Sequence, residues 1–256
     1  MVAMRKWWSA LVAYAGALNT AFNSAQGEIL TEAVKRTAKD LVDLAGFCDL
    51  VTNDVERTHS NSLLTLIVRM FNSSIAGRVG RLPDGRTRWG KKGICLDLAN
   101  CLFRLYDKLQ ENRLFPTILE HLNTASIPLS PQDFPKPTLI LHHYHRGLFH
   151  LRNSSFLQAR ASLLSAFTLC HRTHAPQRRR ILIPLLSTSL ILGYLPDLPT
   201  LFPALSLPDS DAADLSFYFL PLISSLRNGD FHRFRQAIGQ ETSPSIARRR
   251  SFWEQH

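Results

Sequence analysis

This sequence of 256 residues predicts an all-α fold, a stack of helical hairpins. Three observations carry the prediction. Apolar residues recur at helical spacing along most of the chain, and no region alternates for long as a half-buried strand would. The segment from Tyr144 to His171 reads as one helical hairpin: Gly147 is followed by Phe156, Ala159, Leu163 and Ala166 at the offsets of a repeating two-helix unit. Hydrophobic residues make up 45%, with 15 Phe, while 12 Gly and 14 Pro are ordinary numbers. That composition supports a sizeable core and argues against a disordered chain.

The elements follow in order. Residues 7–22, rich in Trp, Leu, Val, Tyr and Ala, predict a first helix. Arg5-Lys6 before this apolar run loosely imitates a secretory leader, but two tryptophans and polar breaks favour a plain helix. Residues 28–46 are amphipathic, with Ile29, Ala33, Leu41 and Leu44 near one face. Residues 62–76 repeat the pattern through Leu63, Leu66, Ile67, Met70 and Phe71. A basic loop, 78–92, turns at Pro83-Asp84-Gly85 and runs into a helix from about Trp89 to Gln110. A short helix over 115–123 carries Pro116 in its first turn, where proline is tolerated. Four prolines from Ile127 to Pro137 exclude regular helix there.

The hairpin is expected as helices 137–151 and 155–172. Gly147 should let the second helix cross closely at Ala159 or Ala166, and Leu163 should fill the gap between these alanines. Asn153-Ser154-Ser155 supplies the turn and N-cap. Pro176 opens a further helix to Leu192, which Pro184 is expected to kink or split, with Gly193 as its C-cap. Helical pieces over 197–204 and 212–227 follow. Asn228-Gly229-Asp230 then turns into Phe231, Phe234, Ala237 and Ile238. A hairpin cannot bury its apolar face alone, so neighbours should stack on it. The domains expected are an N-terminal helical layer (1–77), the basic loop (78–92) and a helical repeat region (93–256).

Charge is the second signal. Thirty Lys and Arg against twenty Asp and Glu give a net charge of +10, which favours acidic partners: nucleic acid, an anionic surface or an acidic protein. Arg78, Arg81, Arg86, Arg88, Lys91 and Lys92 form one cluster, opposed within it by Asp84 alone. Arg178, Arg179 and Arg180 form another at a helix start, where a cation opposes the macrodipole. Arg248-Arg249-Arg250 is a third, of the kind read in nuclear import. The first two are the candidate nucleic-acid or acidic-partner site, since spaced cations neutralise phosphates without reading bases.

Catalytic and metal readings are weaker. No GxSxG, HExxH, GxxxxGK[ST] or strand-following GxGxxG occurs. Cys170 and His171 are neighbours in sequence, which does not bring their side chains together on a helix. His142, His143, His145, His150, His171 and His174 invite a metal or hydrolase hypothesis, but no acidic residue or cysteine stands beside them at a recognised ligand spacing. Cys48, Cys95, Cys101 and Cys170 include no CxxC pair and lie in apolar helical surroundings, so they read as buried free thiols. There is no apolar run of membrane-spanning length. No cofactor, metal or catalytic residue is expected, and no membrane partner.

Four segments carry a family resemblance. They are 88–106 (RWGKKGICLDLANCLFRLY), 144–159 (YHRGLFHLRNSSFLQA), 167–192 (FTLCHRTHAPQRRRILIPLLSTSLIL) and 226–238 (LRNGDFHRFRQAI). They resemble PCI-domain proteins, closest to the branch that contains the PCI subunit of the TREX-two mRNA-export complex and the twelfth COP-nine signalosome-associated subunit. The resemblance implies a superhelical stack of tetratricopeptide-like hairpins and a non-catalytic scaffold. It implies a large helical scaffold protein and a small acidic protein of a nuclear complex as partners, with RNA or DNA bound without sequence preference. The nucleus is the expected location, the cytoplasm a second one. Three readings compete: a signalosome-associated or proteasome-lid-like PCI subunit, a free-standing tetratricopeptide-like peptide binder, and a histidine-based metal protein or hydrolase. The family pattern continues into a winged helix. This sequence stops where that module would begin, so the helical part alone is expected, with Phe231, Phe234, Phe252 and Trp253 forming an exposed C-terminal partner patch.

Overall fold

A computed structural model of the protein describes residues 2–81, 87–205 and 208–239. These contain eleven α-helices: α1 (Val2–Asn23), α2 (Thr31–Val51), α3 (Thr58–Ile75), α4 (Cys95–Leu109), α5 (Phe115–Thr124), α6 (Lys136–Arg152), α7 (Phe156–Leu169), α8 (Ala175–Ile191), α9 (Leu198–Ala204), α10 (Asp209–Arg227) and α11 (Phe231–Gly239). The fold is all-α, as the periodicity predicts. One small departure lies in the basic loop, where β1 (Gly80–Arg81) pairs antiparallel with β2 (Thr87–Arg88). The expected turn at Pro83-Asp84-Gly85 lies outside the described residues.

The chain forms two compact units, 1–145 and 146–256, divided inside α6. Residues 1–77, the basic loop and the stretch from 93 to 145 all belong to the first unit. Composition marked the loop; the core, which decides what belongs together, runs past it.

In the first unit, α2, α3 and α4 pack pairwise. The apolar stripe of α2 (Val34, Ala38, Leu41, Val42, Ala45) is buried, as are Leu63, Ile67, Met70 and Phe71 of α3 and Leu98, Leu102, Phe103 and Leu105 of α4. Phe103 stacks on Phe115 of α5 with ring centroids 3.8 Å apart. Trp8 joins α1 to α3 by donating its indole N–H to Ser62 Oγ at 3.2 Å. The start of the expected helix 89–110 is instead a 3₁₀ turn, Gly90–Ile94, before α4 begins. Gly90 has a φ of +54°, outside the right-handed helical region, and a Cβ there would meet the Arg78 carbonyl at 3.2 Å.

In the second unit, α7 packs on α8, and α10 packs on α8, α9 and α11. Ala159, Leu163 and Ala166 are fully buried. The close approach at Gly147 is present, but its immediate wall is Leu163 rather than either alanine: a Cβ at Gly147 would lie 2.6 Å from Leu163 Cγ. Leu163 sits about one turn from each alanine and fills the space both leave open. The turn between α6 and α7 is made by the backbone. Ser154 adopts φ +56°, the Ser155 N–H donates to the His150 carbonyl at 2.9 Å, and the Ser155 side chain makes no capping bond. α8 runs through Pro184 without splitting. The proline leaves the Arg180 carbonyl without its helical donor, while Thr188 Oγ1 donates to the Pro184 carbonyl at 2.6 Å.

Candidate functional site

The first basic cluster gathers at the corner between α1 and α2. Arg88 Nε donates to Glu28 Oε1 at 3.0 Å. Lys91 donates to the Ser24 carbonyl at 2.8 Å, with its ammonium 5.2 Å from the centre of the Phe22 ring. Arg78 is exposed, and Lys92 is half-buried. Two glycines allow this crowding: a Cβ at Gly77 would lie 2.8 Å from Lys91 Cβ, and one at Gly90 would lie 3.3 Å from the Glu28 carboxylate. Trp89 anchors the far side by donating to Asp133 Oδ1 at 3.2 Å and leaning on Phe134. The side chain of Arg81 and the whole of Arg86 lie outside the described residues. The corner is a cationic surface on which Glu28 neutralises part of the charge.

The second cluster is not one surface. Successive helical residues point about 100° apart, and α8 sends its three arginines to three environments. Arg178 is buried, donates to the Cys170 carbonyl at 3.3 Å and stacks over Phe167 at 4.4 Å. Arg179 lies 3.4 Å from Asp211 and 3.1 Å from Asp214, both on α10. Arg180 is exposed. Arg178 therefore serves packing, Arg179 a link between helices, and Arg180 is the one turned to solvent.

Of the expected C-terminal patch, Phe231 is 74% exposed and Phe234 half-buried. Ile238 adds an exposed apolar side chain beside them. Phe252, Trp253 and the run Arg248 to Arg250 lie outside the described residues.

The histidines do not assemble around a common point. His142 and His145 are buried against Phe103, with ring centroids 5.8 and 6.0 Å away. His171 Nδ1 is 2.8 Å from Thr173 Oγ1. His150 is held below the ordinary imidazole value by burial and by Arg146. Among the described residues one set has ligand atoms close together: those of Asp49, Asp54 and His59 all lie within 4.8 Å of one another. Hydrogen bonds account for that proximity. Asp49 accepts the His59 N–H at 3.1 Å and its ring nitrogen at 2.9 Å, and also the backbone N–H (3.1 Å) and hydroxyl of Ser60. Asp54 accepts the N–H groups of Glu56 (3.1 Å) and Thr58 (3.0 Å) and the Thr58 hydroxyl. Both carboxylates close the N-terminus of α3, which needs no ion.

The Cys170 thiol lies 4.0 Å from the His171 carbonyl and is pushed up by burial, opposite to what activates a nucleophile. Cys95 and Cys101 are pushed up to about 12 by the same cause.

Two recesses that mix cations with carboxylates escaped the sequence analysis. One, of 330 Å³, brings Lys35 and Lys39 of α2 to Arg104 of α4, with Asp97 paired to Lys35 at 3.2 Å. The other, of 430 Å³, lies at the α2–α3 corner and holds Lys108 and Arg57 beside Asp49 and Asp54. These cations are far apart in sequence and form no run, so only the packing of α4 on α2 and α3 assembles them.

No family model matches the chain. Individual relatives do. A PCI domain-containing protein of Schizosaccharomyces pombe is 28% identical over 91% of the chain and 51% of its own length. A CSN12 homolog of Gibberella zeae is 29% identical over 71% of the chain and 38% of its own length. PCI domain-containing protein 2 of Danio rerio is 27% identical over 44% of the chain and 27% of its own length. The chain spans about half, or less, of the length of these curated relatives.

Proposed function

We propose that this chain, a PCI-domain protein of the branch that includes PCI domain-containing protein 2 and the CSN12 homologs, is a non-catalytic scaffold subunit of a nuclear assembly that couples transcription to mRNA export. The observation that carries the scaffold reading is that similarity to a PCI domain-containing protein extends over 91% of the chain, throughout a stack of packed hairpins. In this reading the stack holds a large helical scaffold protein and a small acidic protein. The cationic corner of Arg78, Arg88, Lys91 and Lys92 contacts RNA or DNA through phosphates, without reading bases. Arg180 adds a further cation in the second unit.

Affinity purification of the tagged chain from nuclei, followed by mass spectrometry, tests this. Recovery of one large helical protein and one small acidic protein together with mRNA-export factors supports the reading. Recovery of signalosome subunits instead supports the second reading, a signalosome-associated subunit, which the CSN12 homologs among the relatives favour. Recovery of neither set, from nuclei where the chain is abundant, overturns both.

A further inference from the structure

The recess at the α2–α3 corner combines two features. The first is an exposed apolar cluster. Phe47, Leu50, Val51 and Val55 lie within nine residues of one another; Leu50 is 80% and Val55 91% exposed, and both line the recess. Single exposed apolar residues are ordinary, but a contiguous group beside a concavity marks an interaction surface.

The second is a cation without a direct ion pair. Lys108 reaches from the last turn of α4 into the recess, where it donates to the Val42 carbonyl at 3.4 Å. Among the described residues no carboxylate lies within ion-pair distance of its ammonium. Burial and the nearby Arg104 hold it below the ordinary lysine value, against the opposing pull of Asp43 and Asp49. Gly46 of α2 leaves room for it, since a Cβ there would overlap the ammonium. Arg57, with a left-handed backbone at φ +51°, supplies a second cation on the rim, also without an ion pair among the described residues.

The acids in the same wall act on these cations from beyond ion-pair distance. Asp49 and Asp54 spend their oxygens on the N–H and hydroxyl groups that start α3. What stays open in the recess is an ammonium short of direct partners, beside apolar surface. A half-buried ammonium short of acceptors gains most from a carboxylate, and the bond is charge-assisted.

We infer that the α2–α3 corner is a docking site for a segment of a partner protein that presents a carboxylate to Lys108 and Arg57 and a large apolar side chain to Leu50 and Val55. The site stands on the geometry of the first unit and does not depend on which nuclear assembly the chain joins.

Selection of displayed random peptides against the full chain tests it, followed by fluorescence anisotropy on the synthesised winner. The expected winners carry Asp or Glu close to Leu, Phe or Met. Lys108→Met should weaken the winning peptide by about tenfold or more, the scale of a charge-assisted hydrogen bond. Val55→Asp, at a position where folding is indifferent, should weaken it as strongly. Arg36→Ala, which removes an exposed cation of the same unit already paired with Glu32, should leave it within twofold. Failure to enrich such peptides overturns the proposal. So does a winner indifferent to both Lys108→Met and Val55→Asp. Loss of single-stranded RNA binding, with unchanged peptide binding, in Lys108→Met would make the recess a nucleic-acid surface and would also overturn it.

Discussion

Arg178, Arg179 and Arg180 show how far apart three identical neighbours can be in their physical roles. The buried Arg178 holds the end of α7 through the Cys170 carbonyl and the Phe167 ring. Its replacement by alanine is expected to cost about 1–3 kcal/mol, from a lost cation–π contact and an emptied site. Arg180→Ala should stay within about 0.5 kcal/mol, as exposed substitutions do. Urea unfolding of the two variants checks the contrast, and equal costs would contradict the assignment. Gly147 is a second such case. Gly147→Leu drives a side chain into Leu163 and should cost roughly 1–3 kcal/mol. Adding Leu163→Ala to it should recover part of that loss, which a double-mutant cycle measures. His150 carries a pH dependence. Its folded pKa is depressed below 6.5, so the unfolded chain binds more protons between that folded value and 6.5. Stability should therefore rise with pH across this interval and fall on acidification. His150→Gln should flatten that part of the profile. The spacing from Gly147 to Ala166 was legible in sequence because small residues at a crossing leave a fixed pattern. The separate fates of the arginines were not, because a charge run has no face until its helix is packed.

At the scale of elements, α3 is the most instructive helix. Its apolar stripe is plain in the sequence, but its start is set by carboxylates from the preceding turn and from α2. Asp49 is 7% exposed and accepts four hydrogen bonds. Asp49→Ala would leave buried N–H donors unsatisfied and should cost about 1–3 kcal/mol. Hydrogen exchange should then report early opening of the first turn of α3, and unchanged protection there would refute the capping role. The sequence placed this helix at 62–76 and missed its first turn. Thr58 to Asn61 are polar and carry no periodicity; the cap that orders them comes partly from ten residues upstream. The 3₁₀ turn before α4 was missed for a related reason. The apolar stripe of 94–109 continues smoothly, but the conformation of Gly90 interrupts the helix.

For the whole molecule, the prediction concerns salt. If Arg78 and Arg88 contact phosphates, the affinity for single-stranded RNA should fall steeply as salt rises, with little sequence preference. Replacing both with alanine should reduce the salt slope by about two, roughly one for each contact. Arg178→Ala should not change the slope. Binding absent even at low salt would reduce the corner to a solvated surface. What the sequence by itself determined is the all-α class, the hairpin at 144–171 and the likeness to PCI-domain proteins. These rest on local spacing, which survives in a linear chain because helical packing imposes it every three or four residues. The tertiary structure decided which cations are available and where they gather. It buried Arg178, tied Arg179 to α10, paired Arg88 with Glu28, and assembled Lys108, Arg57 and the exposed apolar residues at one corner. Charge is a property of each residue, but availability depends on burial and on partners from distant segments, which exist only once the helices are packed.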